Sequence, residues 1–565
     1  MVKIADDFTG SSKPSNDTGG KPSAASQLVE MALDRYHFSV TEDGQPYAIR
    51  TGRHVVRMLR GGKNSLRAEL SQAYYQRHKK AAPQQALADA LLVLEGMAQD
   101  QDPGRVHLRV AKANGVVWLD MGDAAETVIK IDRDGWQIVA GGVPLLFRRT
   151  ALTGAIPDLP AGLAGVAGMK NGQSQDDVHQ LWDHINVAPA DRPLLLAWLI
   201  AALIAPEAPH PILALFGEQG TGKSTTSRRI VATVDPSPVP LRKPPRDPEG
   251  WVTAAQGSWV VRLDNLSQVP DWLSDCLCRA ATGDGDVRRA LYTDSDLAVF
   301  AFRRCIPLNG IDVGALRGDL ADRIVMINLD RIDEERRTDE EELEQKWEAA
   351  YPDILGGLFA VAAGVMGLLP SVRLASKPRM ADFARIVAAI DQLLGTKGLG
   401  RYTEQARSMA EDSLSADPLI ARMKEVQLDF IGKASELLTK ITPDSDRWRP
   451  PKNWPKEPRA VTSILKRNAP ALRKTGWVVE EGEDTHDKIV IWTLIHPEKV
   501  RNRDPQHPQN SQEIGRKSGP QGPQGAKSDD ACTVCAGPLL APHSQQRGIC
   551  EKCWLRMPDD EARSA

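Results

Sequence analysis

The sequence predicts an α/β protein: a mostly parallel sheet with helices packed on it, flanked by a β-rich amino-terminal module and smaller helical pieces. Three observations carry this expectation. Between about residues 206 and 370, apolar runs of strand length alternate with helix-length segments, the pattern of strands joined by crossover helices. One run, Ile212–Phe216, leads directly into the glycine-rich loop Gly217-Glu218-Gln219-Gly220-Thr221-Gly222-Lys223-Ser224 and then into a helix-compatible stretch. Finally, 565 residues with 41% hydrophobic and 26% charged side chains exclude a single small domain and wholesale disorder, and leave room for three or four folding units.

Residues 1–25 are polar and small and read as a disordered arm, because burial cannot offset the entropy of ordering them. Residues 26–165 read as a mixed α/β module. Within it 84–97 has apolar positions at helical spacing (Ala86, Leu87, Ala90, Leu91, Leu94), and 106–110, 116–119, 128–131, 136–139 and 145–147 are short β-type runs. The nucleotide-binding core is placed at 176–370 and a helical connector at 371–417. The acidic run 339–344 reads as a solvated helix face. Segment 418–500, helices followed by two apolar runs about a charged turn, predicts a winged helix. A Pro-Gln-Gly linker at 501–530, a cysteine-rich segment at 531–556 and a tail at 557–565 complete the chain.

The 71 Lys and Arg residues against 74 Asp and Glu give a net charge of −3, which neither requires nor excludes a nucleic-acid partner. No apolar signal core follows Met1, and the longest apolar stretches, 194–205 and 354–369, fall short of the ~20 residues a bilayer span needs. The expectation is a cytoplasmic protein in a reducing compartment with no membrane partner.

The glycine loop is a complete P-loop in its strand–loop–helix context. Glycines let successive N–H groups turn inward around phosphates, the helix start adds a positive dipole end, Lys223 neutralises β/γ charge, and Ser224, followed by Thr225, ligates Mg²⁺. The expected ligands are therefore ATP and Mg²⁺. The run 259–263 is strand-like and ends at Asp264-Asn265, as a Walker B strand should, with Asp264 holding the Mg²⁺ water shell; the alternative for Asp264 is a strand-ending turn residue. Asn265 stands where an acidic residue usually polarises the attacking water. A third run, 305–308, ends at Asn309, a residue suited to orient water or the γ-phosphate. Arg317 and Arg323 are candidate arginine fingers, with surface ion pairs as the alternative.

A P-loop, a short Walker B strand, the stretch 277–293 with Arg288, Arg289 and Tyr292, an Asn-ended strand and Ala321-Asp322-Arg323-Ile324 together resemble the superfamily-three AAA+ helicase core. The likeness is to the helicase half of phage, plasmid and poxvirus-type primase-helicases and covers about 100–500. The resemblance implies that Lys223 and Ser224 match Walker A, Asp264 Walker B, Asn309 the sensor and Arg323 the finger. It further implies that Arg288, Arg289 and Tyr292 lie on a hairpin gripping single-stranded DNA in a ring channel. Without it, 283–286 followed by two arginines is only a tight turn beside a basic pair. Asp120 and Asp123 are the nearest match to primase carboxylates, and no companion His signature follows them, so primase activity is not expected.

From 447 to 479 nine basic residues face one acidic residue. On a winged helix that patch suits duplex DNA, with Arg459, Lys466, Arg467, Arg473 and Lys474 as contacts and a protein-docking surface as the alternative. Cys532, Cys535, Cys550 and Cys553 form two CxxC pairs at zinc-ribbon spacing, a closed tetrahedral site for structural Zn²⁺. The expected function is an ATP-dependent DNA helicase or replication-initiation ATPase of a phage or other mobile element, translocating as a hexameric ring. The competing expectations are an ATP-gated DNA-binding scaffold with little hydrolysis and a packaging motor. A packaging motor would need a nuclease with clustered carboxylates, and none follows the core.

Overall fold

Strand Ile212–Phe216 is the axis of the central sheet. In the computed structural model it pairs in parallel with Pro307–Asn309 on one side and Ile324–Asn328 on the other. Its side chains alternate between two cores: Leu213 and Leu215 face helices Arg192–Ile204 and Glu340–Leu368, while Ile212 and Ala214 face Trp251, Leu263, Leu277 and Leu308. Burial on both faces is what a parallel sheet between helical layers requires.

The structure describes residues 22–60, 65–159, 173–266, 269–283, 285–289, 297–310, 318–332, 335, 338–415, 417–445, 447–451, 453–483 and 490–501. The chain divides into two compact units, Met1–Arg501 and Asn502–Ala565. The second unit lies outside the described residues, and with it the expected linker and the four zinc-spaced cysteines; Tyr292 and Arg317 lie outside them too.

Segment 259–263, expected as a strand, joins the sheet through isolated parallel bridges, Val260 to Cys305 and Leu263 to Leu308. Proline is the reason. Cys305 N–H donates to Trp259 O, Val261 to Cys305 O and Leu263 to Pro307 O, but residue 307 has no N–H with which to complete the ladder. The start of the segment is held by a carboxylate instead: Asp235 Oδ2 accepts the amides of Trp259 (2.8 Å) and Val260 (3.0 Å).

Asp235 also ties the β-rich region to this sheet. Its Oδ1 accepts Arg109 Nε at 2.8 Å, both side chains being buried, and Arg109 donates on to the carbonyls of Asp120, Gly154 and Pro236. The antiparallel meander Val110–Ala113, Val116–Asp120, Val128–Asp132 and Gly135–Val139 shares one core with the central helices, Trp136 meeting Phe359 edge to face. A second, five-stranded sheet pairs Tyr36–Val40, Pro46–Arg50, Val55–Met58, Leu146–Arg148 and Val106–His107 in that order, and helices Ala24–Leu33, Leu66–His78 and Gln84–Gln99 lie in the same region. The first of these helices begins inside the stretch expected to be an arm; Ser23 caps it by accepting Ser26 N–H.

Helix Glu340–Leu368 is long and apolar enough, by length and composition, to cross a membrane, and 67% of its most apolar window is buried in the protein core. Its acidic first turn, Glu340 to Glu342, sits at the positive end of the helix dipole. Beyond Asp417, helices Pro418–Glu425, Ala434–Ile441 and Pro458–Lys474 enclose a separate core with an antiparallel sheet ordered Asp429–Lys433, Val490–Ile495, Val478–Glu483. The hairpin was expected; the first strand, with Gly432 and an Ile431 that is 66% exposed, carries no apolar alternation to announce it.

Asp235→Ala is expected to cost about 3–5 kcal/mol in urea unfolding, because it strands a buried guanidinium and two amides. A loss under about 1 kcal/mol would show that neighbouring groups replace it.

Candidate nucleotide-binding site

The loop after Ile212–Phe216 is shaped by its glycines. Gly220 (φ +85°) and Gly222 (φ +75°) occupy the left-handed region, and Gly222 is the N-cap of helix Lys223–Val234. A Cβ on Gly217 would lie 2.6 Å from Thr221 Oγ1. Lys223 Nζ curls back to donate to Gly217 O (2.7 Å) and Glu218 O, which fixes an ammonium inside the loop. Glu218, Gln219 and Ser224 are exposed and Thr225 is half-buried. Asn186 Nδ2 braces the loop from outside by donating to Thr221 O at 3.0 Å and to Asp330 O, a role no motif announces.

Register brings three of the expected residues to one edge. Leu308 pairs with both Ala214 and Leu263, so Asp264 and Asn309 stand level with Leu215, at the carboxyl edge from which the loop departs. Open parallel sheets bind ligands at that edge. Asp264 is 30% exposed, and its Oδ1 accepts Arg262 Nη2 at 2.9 Å. Arg262 is fully buried, and its Nε and Nη1 have no partner among the described residues. Burial pushes its guanidinium down to about 10 against the pull of Asp264, so it stays cationic at neutral pH. Asn309 is 4% exposed, and its Oδ1 accepts Asn265 N–H at 2.7 Å. Asn265 takes φ +55°, which asparagine tolerates, so Asn309 is a clasp on the turn behind Asp264.

Arg323 stands at the opposite edge. Its carbonyl accepts Ile212 N–H, at the beginning of the strand whose end feeds the loop. Five strand residues separate the two, about 15 Å. Its guanidinium pairs with Asp319 (2.6 Å), Asp319 also takes Arg379 (2.8 Å), and Asp322 joins Arg379 (3.7 Å) to Lys474 (2.6 Å).

Arg288 and Arg289 lie on strand Gly285–Arg289, paired antiparallel with Leu297–Ala301 so that Arg288 opposes Ala298 and Arg289 opposes Leu297. On helix Pro458–Lys474, Val461, Leu465, Ala469 and Leu472 face the core and the basic residues face solvent. Four of those five have internal partners: Lys466 pairs with Glu481, Arg467 with Asp417 and Lys474 with Asp322, while Arg473 donates to Val479 O.

Asp120 and Asp123 are engaged as well. Arg149 holds both oxygens of Asp120, and Thr127 donates to Asp123 through its amide and hydroxyl. Cys276, Cys278 and Cys305 are buried, and burial pushes the Cys278 thiol up to about 11, which leaves it unreactive.

Residues 178–412 match a family model described as an actinomycete integrative conjugative element replication protein, and residues 416–506 match the AICE RepA C-terminal domain. No curated protein matches the chain. Among solved structures, the apo C-terminal region of NrS-1 matches at 10% identity and a TM-score of 0.33, covering 84% of this chain and 100% of that one. SCCmec type IV Cch, described as an active helicase, matches at 10% identity and a TM-score of 0.40, covering 83% of this chain and 94% of that one. Through the two family matches, the chain is similar over most of 178–506 to the replication protein of a mobile element, the actinomycete integrative conjugative element.

Proposed function

We propose that the chain is an ATP-dependent DNA helicase or replication-initiation ATPase of a mobile element, with a superfamily-three AAA+ core that works as a hexameric ring. The observation that carries the reading is the P-loop, with Lys223 in place, at the sheet edge that Asp264 and Asn309 share. The loop amides and Lys223 would hold the phosphates of ATP, and Ser224 and Asp264 would hold Mg²⁺, which when bound neutralises the charge on the transferring phosphoryl group. Arg262 orients Asp264, and Asn309 fixes the turn behind it.

Arg323 is too far along the sheet to reach the loop of its own chain. That placement favours a role across a subunit interface, as a finger acting on a neighbour's nucleotide. The antiparallel pair bearing Arg288 and Arg289 is the proposed channel hairpin for single-stranded DNA, and Tyr292 would belong to it. The helix–strand–helix–helix–hairpin order beyond Asp417 supports a winged helix, with Arg459, Lys466, Arg467, Arg473 and Lys474 offered to duplex phosphates. The four tail cysteines would close a structural Zn²⁺ site. The second reading, an ATP-gated scaffold with little turnover, rests on Asn265, whose amide is engaged by Asn309 and whose side chain cannot act as a carboxylate base.

DNA-stimulated phosphate release separates enzyme from scaffold, and strand displacement then separates helicase from switch. Lys223→Ala should lower stimulated phosphate release about 100-fold or more while leaving the thermal transition unchanged; wild-type turnover would remove the loop from the mechanism. Arg323→Ala should impair hydrolysis in assembled rings more than nucleotide binding, and mixing it with Lys223→Ala subunits should restore some active sites. Mixtures that never exceed the sum of their parts would contradict action across an interface. Protein purified without chelators should contain close to one zinc per chain, with the fold of about 530–555 dependent on it; metal analysis that finds none rejects the ribbon.

A further inference from the structure

Residues 442–457 join helices Ala434–Ile441 and Pro458–Lys474 by a connection about twice the usual helix–helix length. The loop is built from tryptophan and proline: Trp448 and Trp454, with Pro443, Pro450, Pro451 and Pro455. The two indoles meet edge to face, their centroids 5.1 Å apart at 76°. Trp454 packs against the carboxy-terminal core, and its amide closes a turn onto Pro451 O. Both rings line a cavity of ≈ 700 Å³ with Leu438, Thr442 and Lys456. That volume lies in the range of ligand pockets. Fixed proline φ angles reduce the freedom the loop loses on folding, so the cavity is formed in advance of any ligand.

The loop carries Arg447, Arg449, Lys452 and Lys456 against Asp444, Asp446 and Glu457, a net of +1. Lys456 is on the wall, Arg447 adjoins Trp448 in the chain, and both are exposed with no carboxylate partner among the described residues. Aromatic faces beside ammonium and guanidinium groups match one chemistry well: a base whose faces are free, carried on a phosphate backbone. A paired base keeps both faces inside its stack. We propose that the Trp448–Trp454 cavity binds an unpaired nucleotide of a single strand, its base against the indoles and its phosphate on Arg447 and Lys456. The inference rests on the DNA reading above and adds a strand-separated contact beside the helix proposed for duplex.

Another occupant is conceivable on shape, since proline-rich segments also dock on aromatic grooves. This chain's own 505–526 stretch, with Pro505, Pro508, Pro520 and Pro523, is of that kind. Charge favours the nucleic acid. That stretch carries Arg516 and Lys517 against Glu513, a net of +1, so Lys456 on the wall and the neighbouring Arg447 favour a polyanion over it.

The test is anisotropy of labelled oligonucleotides with the full chain. Trp448→Ala should weaken single-strand binding about tenfold and leave duplex binding unchanged, and Trp448→Phe should stay near wild type. An abasic strand should bind wild type about tenfold more weakly than an intact one, and should not distinguish wild type from Trp448→Ala. Unchanged single-strand affinity in Trp448→Ala, or equal losses on intact and abasic strands, would overturn the proposal. So would displacement of the strand by a 505–526 peptide in wild type but not in Trp448→Ala. Single-strand binding without any dependence on Trp448 sinks the pocket alone, whereas a chain that binds no DNA sinks the DNA reading with it.

Discussion

The carboxylate of Asp235 is the interaction on which the arrangement of the site depends. It lies just past helix Lys223–Val234, so its position follows from the helix that the P-loop starts. It accepts the amides of Trp259 and Val260, which sets the level at which 259–264 enters the sheet, and hence where Asp264 emerges. Its other oxygen holds Arg109, which carries the β-rich meander. One buried acceptor, at the edge opposite the loop, therefore registers the β-rich meander and the segment that ends in Asp264 against each other. A buried ion pair is weak evidence for stability in itself, and its value here is geometric: removal of either partner leaves a charge with nowhere to go.

Asp191 does the corresponding work on the far side of the sheet. Its Oδ2 accepts both the backbone and side-chain N–H of Asn328, and its Oδ1 accepts Arg401 Nε and Gln405 Nε2. The helix Gly398–Ser415 is thus fastened to the end of strand Ile324–Asn328, beside the loop rather than beside Arg323. The two edges of the sheet are held differently, the nucleotide edge by the buried Asp191, and the opposite edge by the buried Asp235 at the start of 259–264 and by an exposed ionic network around Arg323.

This division explains what could be read from sequence. The P-loop was legible because Gly217, Gly220 and Gly222 each answer a local backbone demand. Asp264 and Asn309 were legible as polar ends of apolar runs. Asn186, Asp191 and Asp235 were not, because their partners lie tens to hundreds of residues away and no local period marks them. Arg262 was hidden for another reason. An arginine inside a strand-like run reads as solvent-facing, yet its charge is drawn inward by a carboxylate two residues on. The meander was legible as strands, but periodicity tells that a face is buried without telling against what, and here the partner is helix Glu340–Leu368.

The network at the Arg323 edge has a different energetic character. Asp319 is 58% exposed, Arg379 41% and Lys474 38%. Pairs of this exposure contribute about 0–1 kcal/mol each and are screened by salt. They cannot account for the attachment of helix Pro458–Lys474 to the rest of the chain; its apolar face, with Leu465 and Leu472 buried among Leu414, Leu419 and Trp492, does that. What the pairs do is orient. Lys474 sits at the end of that helix, Asp322 directly precedes Arg323 in the chain, and Arg379 bridges Asp322 to the Asp319 that holds Arg323. Arg323 itself is only 11% exposed and also donates to the carbonyl of Asp319 at 2.8 Å, so its guanidinium is held by more than the exposed pairs, which set only how the network around it is oriented.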